Sequence, residues 1–277
     1  MIRNPVVAGQ FYENDPQKLI QSIENCFTHK FGPGKKPPSL ESQKIHGIIC
    51  PHAGYMYSGA PAAHAYHAIS SQDIDLAVII GPNHWGIGSD VATMCDGKWK
   101  TPLGMIEIDS DASSHLLDLT ENVKDDFFSH TKDHSLEVQI PMLQTIFPEK
   151  LKILPIILKQ QDIETAKEIG SAIADIAKTR KLIIIGSSDF THYEENAFAY
   201  EQDKALIEPI LKLNVEEFYN ILKERRVSAC GYGAIASTIV ACKTLGATKG
   251  ILLSYSTSGD ITGIKDSVVG YGSIKFV

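Results

Sequence analysis

The chain has 277 residues but only five cysteines, Cys26, Cys50, Cys95, Cys230 and Cys242, and no two of them form a CxxC pair. An odd, scattered set excludes a disulfide framework and fits a reduced, cytoplasmic protein. Basic charge is also short. The 26 Lys and Arg stand against 33 Asp and Glu, a net charge of −7. With no basic cluster, nucleic acid is excluded as the main partner. Apolar runs are brief: stretches such as Ala234–Cys242 are about half a membrane span, so no transmembrane helix is expected. The opening MIRNPVVAGQFYENDP lacks the basic segment and apolar core of a signal peptide. No internal repeat or low-complexity tract is visible. HExxH, GxSxG and Walker motifs are missing, and Gly231-Tyr232-Gly233 is too short for a dinucleotide fingerprint.

What is present is an alternation of short apolar runs with helical segments. Near-continuous Ile, Leu and Val at Ile45–Cys50, Leu76–Gly81, Leu151–Leu158, Leu182–Gly186 and Ile251–Ser256 predict strands covered on both faces. Val91–Met94, Met105–Ile108 and Val268–Phe276 read as further, more exposed strands. Asp15-Pro16 opens a helix to about Phe27, as N-cap and first-turn proline. Helices are also expected at Gly59–Ser70, Ser110–Leu119, Ser135–Phe147, Ile163–Lys178, Asn196–Leu213, Val215–Arg225 and Gly233–Leu245. Residues 29–44, with three prolines and four lysines, read as a surface loop. The pattern predicts one α/β domain over 1–277, an α/β sandwich on a mainly parallel sheet.

Three of these strands run into polar loops that carry histidine: Pro51-His52-Ala53-Gly54, Pro82-Asn83-His84-Trp85 and Ser187-Ser188-Asp189-Phe190-Thr191-His192. Ligands of open α/β sheets bind beyond the carboxyl ends of strands, so His52, His84, Asp189 and His192 are candidates to converge. Cys230 lies just before an apolar helix, where the dipole favours a thiolate. Cys26, Cys50 and Cys242 read as core, and Cys95 as inert. Two imidazoles and a thiolate suit iron, zinc or copper. Asp189 and His192 would then orient ligands or move protons. Strand-end histidines that only hydrogen-bond are the competing reading. His64 and His67 share a helix face and read as a packed or solvated pair. In SHTKDHSLEVQIP, Asp133 is a candidate N-cap, and His134 either contacts substrate or simply caps.

Six segments carry a resemblance to the Memo family: Ala8-Gly9-Gln10-Phe11-Tyr12, PHAGYMYSG, GPNHWG, DHSLEVQIP, SSDFTHY and Cys230-Gly231. The resemblance implies a three-layer α/β/α sandwich with a mainly parallel or mixed central sheet, similar to the class III extradiol dioxygenases, non-haem iron enzymes. It puts His52, His84 and Cys230 at the metal-ligand positions, Asp189 and His192 in the pocket, and His192 in the acid–base place. It further implies bound iron or copper and redox chemistry. Phosphotyrosine-peptide binding is implied by animal members, and AMMECR-type and radical-SAM partner proteins by prokaryotic ones. The radical-SAM cysteine motif itself is absent from this chain. The dioxygenases use two histidines and a carboxylate. A cysteine in the third place weakens the metal as a Lewis acid and is itself oxidisable, which counts against ring cleavage. Asp189 as third ligand is the alternative. Three functions follow. The first is a metal-dependent redox enzyme whose pocket is shaped by Tyr55, Tyr57 and Trp85. The second is a non-catalytic module that binds a peptide or anion, and the third a zinc-dependent hydrolase.

Overall fold

A computed structural model describes residues 1–40, 42–148 and 151–277; Glu41 of the expected 29–44 loop lies outside the described residues. The strands are β1 (Ile2–Arg3), β2 (Gly47–Cys50), β3 (Leu76–Pro82), β4 (Val91–Thr93), β5 (Lys98–Thr101), β6 (Gly104–Ile108), β7 (Val123–Asp125), β8 (Lys152–Leu158), β9 (Leu182–Ser187), β10 (His192–Glu194), β11 (Gly250–Thr257) and β12 (Val268–Phe276). The helices are α1 (Pro16–Thr28), α2 (Ala60–Ile69), α3 (Ser110–Leu119), α4 (Phe127–His130), α5 (Gln139–Ile146), α6 (Ile163–Ile176), α7 (Asn196–Leu211), α8 (Val215–Glu224), α9 (Tyr232–Thr244) and α10 (Ser258–Thr262). Among the described residues no helix is long and apolar enough to cross a membrane.

One mixed sheet runs through the molecule in the order β1-β5-β6-β8-β3-β9-β2-β12-β10, with β11 on β12 and β4 bridging β7 and β8. Its centre, β6-β8-β3-β9-β2, is parallel. Side-chain alternation divides the core in two. Val78, Ile80, Ile49 and Ile184 face α3, α6, α7, α8 and α9. Ala77, Ile79, Ile48 and Ile185 face α1, α2 and α5. The result is the expected α/β/α layering, and each fully buried Ile or Leu contributes ~1.5–3 kcal/mol to it.

Two strand expectations are exchanged. β12 is not an exposed strand: it is buried along nearly its whole length, flanked by β11 on one side and by β2 and β10 on the other. β11 is not covered on both faces: it pairs only with β12, and Leu252 is 39% exposed. Apolar content reports hydrophobicity, not position in the sheet. The glycines of Val268–Phe276 diluted a central strand, while Leu and Ile enriched an edge. The short β4 is likewise buried throughout rather than exposed.

Two local departures bear on the site. The helix expected from Ser135 starts at Gln139, because Pro141 has no N–H to give to Glu137; residues 135–138 form a turn closed by three-residue bonds such as Ile140 N–H to Glu137 O. The segment before α2 is a π-helical turn, Tyr55–Gly59, pinned where Tyr55 N–H donates to Phe11 O at 2.7 Å. A Cβ on Gly59 would sit 2.6 Å from Cys26 Sγ, so glycine is needed for the approach of α1.

The N-terminal segment is held by a buried ion pair. Arg3 Nη1 donates to Glu137 Oε2 at 2.5 Å, and each side chain is 1% exposed. Arg3 also donates to His130 O and Asp133 O, and its guanidinium lies over Trp99 at 4.2 Å. Glu137 accepts from Val6 N–H, Val7 N–H and Tyr12 Oη–H. Removing one partner strands the other charge. Glu137→Ala is therefore expected to lower the unfolding free energy by ~3–5 kcal/mol in urea titration, and the joint replacement Arg3→Met with Glu137→Leu by much less.

Candidate metal centre

Register brings the histidine loops together. β3, β9 and β2 are adjacent and parallel, with Ile80 opposite Gly186 and Ser187 opposite Cys50. Each then leaves the sheet at the same end. His52 follows Cys50 by two residues, Asp189 follows Ser187 by two, and His84 follows Pro82 by two. A third imidazole, His134, arrives on the turn that Arg3 and Glu137 secure. One ring nitrogen from each of His52, His84 and His134 lies within 4.8 Å of the others. The His84 and His134 rings stack at 4.7 Å, and His52 meets both edge-on. Cys230 Sγ is 3.2 Å from His52 Nε2.

Of the residues singled out from sequence, His52 and His84 do meet, and Cys230 adjoins His52. His134 stands among the imidazoles rather than at a distance from them. Asp189 is buried behind His52 and accepts its backbone N–H at 2.8 Å. His192 lies near enough to His52 and Asp189 to act on them electrostatically, and its ring is held by Nδ1–H donating to Ser228 O at 2.9 Å, which turns Nε2 away from that bond. Tyr193 beside it takes a left-handed conformation (φ 61°), a strained geometry for a tyrosine. Trp85 is 59% exposed and lines, with Phe11, Lys132, His84 and His134, a groove of about 700 Å³. Tyr55 is buried and donates to Val138 O, which makes it a support of the turn; Tyr57 is half-buried and lines a neighbouring cavity with Phe11. His64 bonds Phe31 O and lies outside the cluster, and Cys26, Cys50 and Cys242 are buried core thiols.

Charge states follow from these surroundings. Burial, then the neighbouring His84 and His134, push His52 well below the ordinary imidazole value, and burial with His84 lowers His134 to about 4. Asp133 is the carboxylate that orients His84, accepting from both its backbone N–H (2.7 Å) and its Nδ1 (3.0 Å). Burial works against its charge, but the bonds from His84 and Ser135 outweigh burial and hold it well below the usual range. Burial raises Asp189 to about 6. The thiolate expected at Cys230 is not favoured: α9 starts two residues later, and desolvation together with Asp189 pushes the thiol up. A helix dipole worth ~0.3–1 kcal/mol does not offset that desolvation. A bound cation would reverse the balance, since a coordinating thiol is deprotonated.

Sequence reading left out the residues that aim these rings. Asp133 looked like a cap, and Ser187, Gln139 and Ser228 gave no signal of their own. The one available hint was a carboxylate beside His134 in a segment with two histidines.

Opposite pH dependences are expected for the metal-free chain. His134, lowered in the fold from 6.5 to about 4, contributes stability that is full above about pH 6.5 and is lost as the pH falls toward 4. Asp189, raised from 3.8 to about 6, contributes stability at low pH that is lost as the pH rises through 6. In urea titrations Asp189→Asn should therefore gain on the wild type at pH 7 and lose most of that gain at pH 4.5. An equal difference at both values would contradict the assignment.

The chain has counterparts among known proteins. The Memo-like protein family matches residues 3–275. A MEMO1 family protein of Nitrosopumilus maritimus is 58% identical over 277 residues, covering all of both chains. Those of Methanopyrus kandleri and Methanocaldococcus jannaschii are 44% and 45% identical, over 98% or more of each chain. Among solved structures, an uncharacterized protein of Escherichia coli K12 aligns with a TM-score of 0.51 at 10% identity, over 84% of this chain and all of that one, which shows a shared fold. Matched from end to end in sequence, with its histidine loops on one edge of the sheet, the chain belongs to the Memo-like protein family.

Proposed function

We propose that this chain is a non-haem metal protein of redox type, which holds iron or copper where His52, His84 and His134 meet beside Cys230. What carries the reading is the convergence of three imidazoles, with donor nitrogens within 4.8 Å, and a sulfur 3.2 Å from one of them. The donor chemistry fits. The low proton affinity of His52 and His134 leaves their nitrogens unprotonated at neutral pH, and nitrogen with sulfur suits borderline transition metals. Metal–ligand bonds of about 2.0–2.3 Å need donors roughly 3–4 Å apart, as His52 and Cys230 are. His52 and His84 are the central ligands in this reading. Cys230 supplies the soft donor, and His84 and His134 are the ligands that border the groove.

When bound, such an ion supplies one-electron chemistry and a Lewis-acid face. The chain's own residues supply the rest. Asp189 holds the His52 backbone from behind, and His192, tied by Nδ1–H to Ser228 O, has its Nε2 turned away from that bond and open to a proton. Trp85 and Phe11 present apolar faces, and Lys132 a positive charge, to a small-molecule or peptide ligand in the groove. The five free cysteines suit a reducing compartment such as the cytoplasm.

Anaerobic purification followed by elemental analysis tests the proposal. Wild type should carry about one iron or copper per chain, and His52→Ala and Cys230→Ser should each lose most of it. If His134→Ala loses as much as Cys230→Ser, all four donors bind. Zinc alone in the wild type would move the reading to hydrolysis. Equal trace metal in wild type and in a His52→Ala, Cys230→Ser double variant would end it.

A further inference from the structure

Four fully buried polar groups behind His52 form a chain whose hydrogen-bond directions can be assigned one at a time. Gln139 Nε2 lies 3.0 Å from Pro51 O and 2.8 Å from Ser187 Oγ. A carbonyl only accepts, so the amide nitrogen, not the amide oxygen, must face Pro51. Tyr66 Oη–H, 2.5 Å from Gln139 Oε1, satisfies the other end of that amide and fixes the same orientation. Gln139 therefore donates to Ser187 Oγ.

Ser187 has one proton. Its oxygen is 2.7 Å from Ser135 O, again a carbonyl that only accepts. The hydroxyl proton must go there, because otherwise two oxygens would face each other at that distance with nothing between them. Ser187 Oγ then has two lone pairs. One takes the Gln139 amide, and the other faces His52 Nδ1 at 2.9 Å. The only group left to supply a proton to that contact is the imidazole itself.

We infer that the Gln139–Ser187 pair is a tautomer lock, which holds neutral His52 as the Nδ1–H form and aims the bare lone pair of Nε2 at the cluster. The far side of the ring agrees: Cys230 Sγ–H, 3.2 Å away, is placed to donate to that lone pair. Ser187 and Gln139 are thus positioning residues, acting through His52. Burial gives the lock its strength. Ser187 is 0% and Gln139 1% exposed, so no water competes for their bonds, and a wrong tautomer would leave an unpaired polar group out of water. The same device recurs with other acceptors, Asp133 on His84 Nδ1 and Ser228 O on His192 Nδ1. The Ser187 case differs because a hydroxyl can serve either way, and here its partners decide for it. Its benefit to an ion rests on the metal reading above, but the tautomer itself does not.

The experiment uses the metal-free full chain, labelled with ¹⁵N-histidine. Long-range ¹H–¹⁵N spectra at pH 7.5 should show His52 with a protonated Nδ1 and an unprotonated Nε2, the resonances being assigned by their loss in His52→Gln. Ser187→Ala should shift the ring toward the Nε2–H form or a mixture. Ser187→Thr, which keeps the hydroxyl, should preserve the wild-type pattern. A protonated Nε2 in the wild type overturns the lock without recourse to any variant. So does a Ser187→Ala spectrum unchanged at His52. In parallel, Zn²⁺ affinity measured by chelator competition should fall about 10–100-fold in Ser187→Ala and recover in Ser187→Thr. Wild type that binds no Zn²⁺, Fe²⁺ or Cu²⁺ yet shows the Nδ1–H ring would overturn the metal proposal and uphold the lock.

Discussion

The two parallel ladders that join β3 to β9 and β9 to β2 are the constraint on which the site depends. Their register puts Ile80, Gly186 and Ile49 abreast, and it therefore releases His84, Asp189 and His52 at one level above the sheet. A one-residue slip in either ladder would turn every core side chain to the wrong face, so burial of Val78, Ile80, Ile184 and Ile49 enforces the register far more strongly than any contact within the site. Long-range convergence is here a by-product of core packing.

Much of this was legible in the chain. Apolar runs located β3, β8 and β9 almost to the residue, because a strand buried on both faces has little else it can be. His52 and His84 stood out because each closely follows such a run. What sequence did not show are the pairings between distant residues: Arg3 with Glu137, and Ser187 with His52 and Gln139. Periodicity reports which face a residue occupies, not which partner it finds there. Cys230 marks the opposite failure. Its place before a helix was read correctly, but the dipole was weighed without the desolvation that opposes it.

Grouping three imidazoles with a thiol has an energetic consequence in the absence of an ion. Burial, with the neighbouring rings, lowers the proton affinity of His52 and His134, so these two stay neutral at neutral pH, and the buried His52 must be satisfied by an oriented partner instead of by charge. Ser187 meets that requirement for His52, and Asp133 fixes the more exposed ring of His84. In the proposed reading these donors would need little reorganisation to take up a cation.

His134 is held differently from the other rings. Its ring meets Phe11 at a tilt (4.8 Å), His84 in a stack (4.7 Å) and His52 edge-on (5.4 Å), and its backbone rides on the turn before α5 and not on the central ladders. Ring contacts of this kind share no proton, so His134 is placed by packing, whereas His52 and His84 are placed by the acceptors at their Nδ1 atoms. The orientation of this third imidazole is therefore set by the shape of its neighbours.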